Sequence, residues 1–334
     1  MQSLADRRGI AVRPHAKTHK CAAVASRQLG AGAVGLSVAT VGEAEHFARA
    51  GFDDLFVAYP LWADGRRGAR LAELSADVAL SVGVDSLDGV TALAAAAGRP
   101  LRVLVEVDSG QHRSGVAPDA AGVLARAAAD AGLTVAGVFT FPGHAYAPGA
   151  ATAAAADEAA ALRRAVAAVR HAGLPCPVAS GGSTPTAALA DDGVVTELRP
   201  GVYAFNDAQQ LRLGSCRPED VALVVLATVV SAPAADRFVL DAGSKALGAD
   251  RPVWMGGYGL VPSHPGAVVE QLSEHHAVVA LDRPAPAGRA AVGSRVAVVP
   301  NHVCAAVNLA DELVVVDDAS VVDHWSLAPR SANH

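Results

Sequence analysis

Cysteine is scarce in this 334-residue chain and scattered where it occurs. Cys21, Cys176, Cys216 and Cys304 share no CxxC spacing, which excludes a disulfide framework and fits a reduced, cytoplasmic protein. Positive charge is in short supply too. The 27 lysines and arginines against 33 aspartates and glutamates leave a formal net charge of -6, so neither nucleic acid nor an anionic membrane surface is an expected partner. Long hydrophobic runs are missing: the longest candidate, residues 221–235, is too short to cross a membrane and runs into Ala232-Pro233. Residues 1–10 carry Asp6, Arg7 and Arg8 in place of the apolar block of a signal peptide. No GxGxxG turn follows the first strand pattern, which argues against a doubly wound dinucleotide-binding sheet.

What is present is an alternation. Short apolar, β-branched runs at 10–15, 33–38, 54–59, 78–84, 102–107, 135–141, 177–179 and 194–198 alternate with alanine-rich stretches of helical character, such as 41–50, 118–131 and 153–171. Eight strand–helix units are the number that closes a (β/α)8 barrel of the TIM type. After about Arg217 the texture changes. Strand-like runs at 221–230, 237–240, 268–272, 277–281, 295–300 and 313–317 are joined by Gly/Pro turns with no long helix pattern between them. The expected organisation is an α/β barrel over residues 1–217 followed by a second, mostly β domain over 218–334.

The stretch Arg13-Pro14-His15-Ala16-Lys17-Thr18-His19-Lys20 stands where the first strand would emerge. A basic solvated loop or a phosphate patch is the plain reading of such a run. Against it, Pro14 fixes the backbone, Lys17 is followed by a hydroxyl and a second imidazole, and the rest of the chain is not basic. A lysine held at the mouth of a strand among imidazoles suits an amine that must lose its proton to attack a carbonyl. Residue for residue, the stretch resembles the lysine motif of the D-serine dehydratase and D-threonine aldolase family of pyridoxal 5'-phosphate (PLP) enzymes. The resemblance implies that Lys17 carries PLP as a Schiff base, with His15 beside it in the cofactor site. It covers most of the chain, because a barrel followed by a β domain is the architecture of the alanine-racemase-like, fold type III enzymes. Members usually start with a strand and helix ahead of the lysine motif. Met1-Gln2-Ser3-Leu4-Ala5 resembles the tail of that helix, so the resemblance implies a chain that begins late.

In a barrel of this kind active residues gather where strands end, with phosphate at the loops after strands seven and eight. Ser180-Gly181-Gly182-Ser183-Thr184-Pro185-Thr186 follows the seventh strand pattern, and Arg199-Pro200-Gly201-Val202-Tyr203 the eighth. The first loop offers backbone N–H groups and the hydroxyls of Ser183 and Thr184; the second offers the amides of Gly201 and Val202 and the Tyr203 phenol. Alone, the first is an ordinary turn. Arg113, after the fifth strand, reads plainly as a surface arginine in a turn or else as a fixed cation near the pyridine ring or the substrate carboxylate; Arg199 competes for the pyridine nitrogen, which either would keep unprotonated. In Phe141-Pro142-Gly143-His144-Ala145-Tyr146, after the sixth strand, His144 and Tyr146 can stack on the ring or bond its phenolic oxygen, simple packing being the plain alternative. In Pro300-Asn301-His302-Val303-Cys304, residues two apart on a strand face one side, so His302 and Cys304 can share a metal ion. The simpler alternative is a buried cysteine beside a hydrogen-bonded histidine. Imidazole plus thiolate favours zinc, with another divalent ion as the alternative, and the pair resembles the family's metal site in its cysteine form.

The resulting expectation is a PLP- and zinc-dependent lyase converting D-serine to pyruvate and ammonia; the preference for the D configuration comes from the resemblance alone. Lys17 would take the α-proton while the metal polarises the β-hydroxyl. A D-threonine aldolase-like retro-aldol cleavage is the first alternative, a non-catalytic PLP-binding protein the second. Alanine racemase itself is disfavoured by the lack of a catalytic tyrosine motif in the second domain. The substrate would be a small D-amino acid, and the resemblance implies a homodimer. Asp241-Ala242-Gly243-Ser244-Lys245 and Leu272-Ser273-Glu274-His275-His276 match the family without an assigned role, and the remaining three cysteines are expected to be structural.

Overall fold

The structure, a computed structural model, describes residues 1–96, 101–283, 291–318 and 320–334. Two compact units divide it: Met1–Gly201 with Ala328–His334, and Val202–Leu327. The boundary expected after Arg217 therefore falls inside the second unit. Asp207 gives the reason. Its carboxylate caps the helix Ala208–Leu213 through Gln210 N–H (2.9 Å) and accepts Val303 N–H (3.0 Å), tying that helix into the second unit.

The first unit is a (β/α)8 barrel. Its strands are β1 (Ala11–Val12), β2 (Leu36–Val38), β3 (Asp54–Pro60), β4 (Ala79–Val84), β5 (Arg102–Glu106), β6 (Thr134–Phe139), β7 (Val178–Gly181) and β8 (Glu197–Leu198). They pair in parallel in the order β1-β8-β7-β6-β5-β4-β3-β2. Val34 N–H donates to Val12 O and Ser37 N–H to Pro14 O, both at 2.9 Å, bringing β2 against β1. Strands covered on both sides read as continuous apolar runs. Val82, Val103, Val105 and Val138 pack with Leu71, Leu93, Leu124 and Leu162 of the helices, while Phe56, Leu104 and Phe139 form a separate cluster drawn from the strands alone. Phe56 and Phe139 meet edge to face at 5.1 Å. The expected helix at 118–131 is a 3-10 turn, Pro118–Ala120, leading into the helix Ala121–Asp130, because Pro118 starts the turn without an N–H to satisfy.

In the second unit, β9 (Val225–Ala234), β10 (Arg237–Leu240), β11 (Gly259–Leu260), β12 (Val268–Leu272), β13 (Ala277–Ala280) and β14 (Arg295–Pro300) form an antiparallel sheet ordered β11-β14-β9-β10-β13-β12. Val229, Phe238, Leu240, Val269, Val279 and Val298 make its core. β15 (Glu312–Asp317) and β16 (Ser320–Ser326) pair as a hairpin. The strand expected from 221 starts at Val225, since Ala222 N–H is spent on Phe205 O at 2.7 Å. β11 is too short for a pattern, and Asp323 and His324 break the apolar run of β16. No helix among the described residues is long and apolar enough to cross a membrane.

Candidate active site

The chain has three lysines, Lys17, Lys20 and Lys245. Lys20 is buried, pairs with Glu43 at 3.2 Å and bonds Asn333; Lys245 pairs with Glu274 at 3.0 Å on the surface. Lys17 is the one that no carboxylate engages among the described residues. It sits in the 3-10 turn Ala16–Thr18 directly after β1. The extended path of β1 reaches that turn because His15 N–H still bonds Pro200 O at 3.0 Å. At the far end Lys20, with φ of 48°, receives Ala328 N–H on its carbonyl at 2.7 Å, so the turn is held on both sides. Gly201 approaches it as only glycine can: a Cβ there would stand 2.6 Å from Thr18 Oγ1 and 3.0 Å from His15 O.

Cations converge here. Lys17 Nζ lies 5.8 Å and the half-exposed Arg113 guanidinium 5.4 Å from the centre of one ring, Phe141, beyond the end of β6. Arg199 is buried, donating to Ser180 Oγ (2.6 Å) and Thr140 O (2.5 Å) above the Phe139 and Phe56 rings. Burial lowers its guanidinium against the pull of Glu197, Glu158 and Glu106, yet such a group stays a donor. Burial, and then the charges of Lys17, Arg199, His19 and Arg113, hold His15 well below the usual imidazole range, so it is neutral. His15 Nδ1, Arg199 Nε and Glu106 Oε2 are buried with no hydrogen-bond partner. Buried polar atoms are rarely left unmatched, so fixed cations beside unmatched atoms fit a polar, anionic small molecule such as PLP. The Tyr146 ring packs 6.1 Å from Phe141, and His144 Nε2 stands 3.4 Å from Asp157.

Of the phosphate-loop residues, Ser183 and Thr184 are buried behind β7. Two of that loop's amides are already engaged. Gly182, at φ +78°, donates its N–H to Glu158 Oε1 at 2.6 Å, and Ser183 donates its own to Thr186 Oγ1 at 2.9 Å. Val202 and Tyr203 open the second compact unit in the 3-10 turn Val202–Ala204. Glu158 lies on the helix Ala151–His171, and burial pushes its carboxyl from 4.5 up to about 7, although Gly182 N–H and Arg199 pull it down. A raised carboxyl stabilises the fold fully below its ordinary value, and that contribution is lost as pH climbs through about 7. The difference is worth about 3 kcal/mol. Between pH 5 and 8, Glu158→Gln, which does not titrate, should gain stability relative to the parent by up to that amount. Denaturant midpoints that run parallel across this range would contradict the assignment.

Around His302 the geometry differs from the expected strand. β14 ends at Pro300; His302 precedes the helix Val303–Leu309 and Cys304 lies in its first turn. The chain turns helical there because Asp207 accepts Val303 N–H and so caps the new helix. The side chains still meet, by helical rather than strand geometry. Burial lowers the His302 imidazole, but Cys304, Asp250 and Asp207 outweigh it and hold it at about 9. Asp250 Oδ2 lies 2.5 Å from His302 Nδ1, leaving the opposite ring nitrogen for a ligand. Among the described residues no cluster of three His, Cys, Asp or Glu side chains is arranged to hold a metal. A two-donor set, imidazole and thiol with an orienting carboxylate, suits a metal whose other positions go to water and substrate.

Sequence reasoning passed over Phe141, Glu106, Glu158, Asp207 and Asp250. Phe141 stood within the noted stretch before His144, whereas Asp250 lies 52 residues from His302 and carries no spacing signal.

This combination, a lysine at the mouth of a barrel and a metal-type donor pair in a following β domain, defines a class of PLP enzymes, and comparison with known proteins agrees. Residues 1–209 match the alanine racemase N-terminal domain and residues 222–316 the putative serine dehydratase domain. D-threo-3-hydroxyaspartate dehydratase of Delftia sp. (strain HT23) is 39% identical over 91% of this chain and 86% of its own. D-threonine aldolase of Arthrobacter sp. is 37% identical over 99% and 88%, and D-serine dehydratase of Dictyostelium discoideum 26% over 95% and 91%. The solved Delftia dehydratase superposes with a TM-score of 0.88 at 36% identity, covering 98% of this chain and 92% of that one. The D-threonine aldolase of Filomicrobium marinum gives 0.89 at 31%, covering 99% and 91%. The chain belongs to the fold type III family of PLP-dependent, metal-dependent lyases that join an alanine-racemase-type barrel to a serine-dehydratase-type domain.

Proposed function

We propose that this protein dehydrates a D-configured β-hydroxy amino acid, D-serine in the first instance, to the keto acid and ammonia. The pair His302–Cys304, thiol and imidazole in contact under Asp250, carries this reading. Solved variants of a D-threo-3-hydroxyaspartate dehydratase replace a histidine and, two positions on, a cysteine by alanine, the cysteine variant in a metal-free form. The same spacing here supports a dehydratase metal site on His302 and Cys304. When bound, PLP supplies an electron sink for a carbanion at Cα and zinc a Lewis acid for the β-oxygen. Lys17 Nζ accepts the α-proton. Arg199, buried and with Nε unmatched, has the stronger claim to the pyridine nitrogen, and Arg113 on the Phe141 face is left to the substrate carboxylate. His15, being neutral, leaves the anionic cofactor to these cations, with Ser183, Thr184, Gly201, Val202, Tyr203 and Tyr146 completing its contacts. A cytoplasmic homodimer is part of the same proposal.

The greater identity to the hydroxyaspartate dehydratase favours a second substrate, D-threo-3-hydroxyaspartate. One assay separates the readings. Incubated with D-serine, D-threo-3-hydroxyaspartate and D-threonine in turn, the PLP- and zinc-loaded protein should release pyruvate from the first or oxaloacetate from the second, with ammonia. Release of glycine and acetaldehyde from D-threonine, without keto acid from the others, would make it an aldolase.

A further inference from the structure

Glu158 is a buried ionisable group that the proposed chemistry does not use. Its carboxyl lies on the helix Ala151–His171, fully shielded from solvent, beneath the turn that follows β7. Oε1 accepts Gly182 N–H at 2.6 Å, while Oε2 is buried with no hydrogen-bond partner. The fit is close: a Cβ at Gly181 would stand 2.3 Å from Oε1 and 2.9 Å from the carboxyl carbon. Gly182 itself is at φ +78°, a conformation open to glycine, and its lack of a side chain leaves this turn free to move unless its backbone is held. The other charge acting on the carboxyl is Arg199, across the sheet on the end of β8. A carboxyl buried at this cost is uncommon, and here it supplies the acceptor for a buried backbone N–H that leucine would leave unmatched.

We propose that Glu158 is a positioning residue for the cofactor phosphate: by holding Gly182 N–H, it fixes the backbone path of the 180–186 turn and thereby the directions in which its remaining donors point. This deepens the PLP reading and rests on it. The carboxyl does not face the ligand. It turns one amide away from the cup, and the rest of the turn, locked by Ser183 N–H to Thr186 Oγ1 and by Thr186 N–H to Ser183 O, takes its shape from that anchor. A flexible turn would lose part of its binding energy in becoming ordered; a preorganised one does not. Because the effect runs through a hydrogen-bond acceptor, glutamine should preserve it and leucine of similar volume should not.

The test is a PLP binding isotherm on the apoprotein, followed by fluorescence quenching, for the parent, Glu158→Gln and Glu158→Leu, with inorganic phosphate as a competitor. Leucine should weaken PLP about tenfold, the range of one hydrogen bond with its ordering cost, and weaken phosphate in parallel. Glutamine should stay within about threefold of the parent. At saturating PLP the visible spectrum, and kcat measured there, should be unchanged in both variants, so that the loss lies in affinity alone. Where the leucine variant does not fold, Gly181→Ala displaces the same carboxyl and should give the same loss. Equal PLP affinity in the leucine variant and the parent, or a folded glutamine variant as weak as leucine, would overturn the inference while leaving the PLP reading intact. A parent that binds no PLP would overturn both.

Discussion

Lys17→Ala should lower turnover of the D-amino acid by at least about a thousandfold and abolish covalent attachment of PLP. Three lysines limit the possibilities, and two are spent on partners, Lys20 on Glu43 and Asn333 and Lys245 on Glu274. Lys17 alone stands in the company that an attacking amine requires: Arg199 and Arg113 nearby, a neutral His15, and Phe141 beneath its Nζ. On the proposed function, its loss would remove both the covalent anchor and the base for the α-proton. Base removal by itself is worth about a hundred- to ten-thousandfold. Borohydride reduction followed by peptide mapping provides the check. The parent should carry reduced cofactor on the peptide holding Lys17, and the alanine variant on none. Label on Lys20 or Lys245 in the variant, with turnover retained, would refute the assignment.

The barrel could be read from the sequence because its signals are local and repeated. Short, mostly apolar runs alternate with alanine-rich stretches that fill helices, so all eight strands stand within a few residues of their expected places. The lysine motif was equally open, since Pro14, His15 and Lys17 lie within four residues of one another, where β1 gives way to the turn Ala16–Thr18. What stayed hidden depends on contacts distant in sequence. Glu158 lies 24 residues from Gly182, Asp207 lies 96 from Val303, and nothing near any of them announces the partner. The helix at Val303–Leu309 was missed for the same reason. Its cap comes from a carboxylate on another element, so the apolar run of β14 looked as if it continued. His302 and Cys304 were still expected together, because two residues apart can meet on a strand and also around the start of a helix.

Removal of metal should cost elimination about a thousandfold, the several kcal/mol that a Lewis acid contributes at an oxygen bearing developing charge. The residues at stake are His302 and Cys304, with Asp250 behind the imidazole. Imidazole and thiolate select zinc over magnesium or manganese, whose preference is for oxygen donors. After chelation and dialysis, zinc should therefore restore keto acid release better than either of those ions. Cys304→Asp converts the soft donor to a hard one. It should shift the restoring metal towards manganese or magnesium and lower elimination more than any cleavage of D-threonine, because elimination requires the β-oxygen to depart as hydroxide whereas cleavage requires only its proton to be lost. Asp250→Asn provides the intermediate case: the imidazole keeps a hydrogen-bonding neighbour but loses its charged one, and metal affinity should fall by about ten- to a hundredfold. Keto acid formation at the full rate by metal-free protein would show that His302 and Cys304 are no more than a packed pair at the start of a helix.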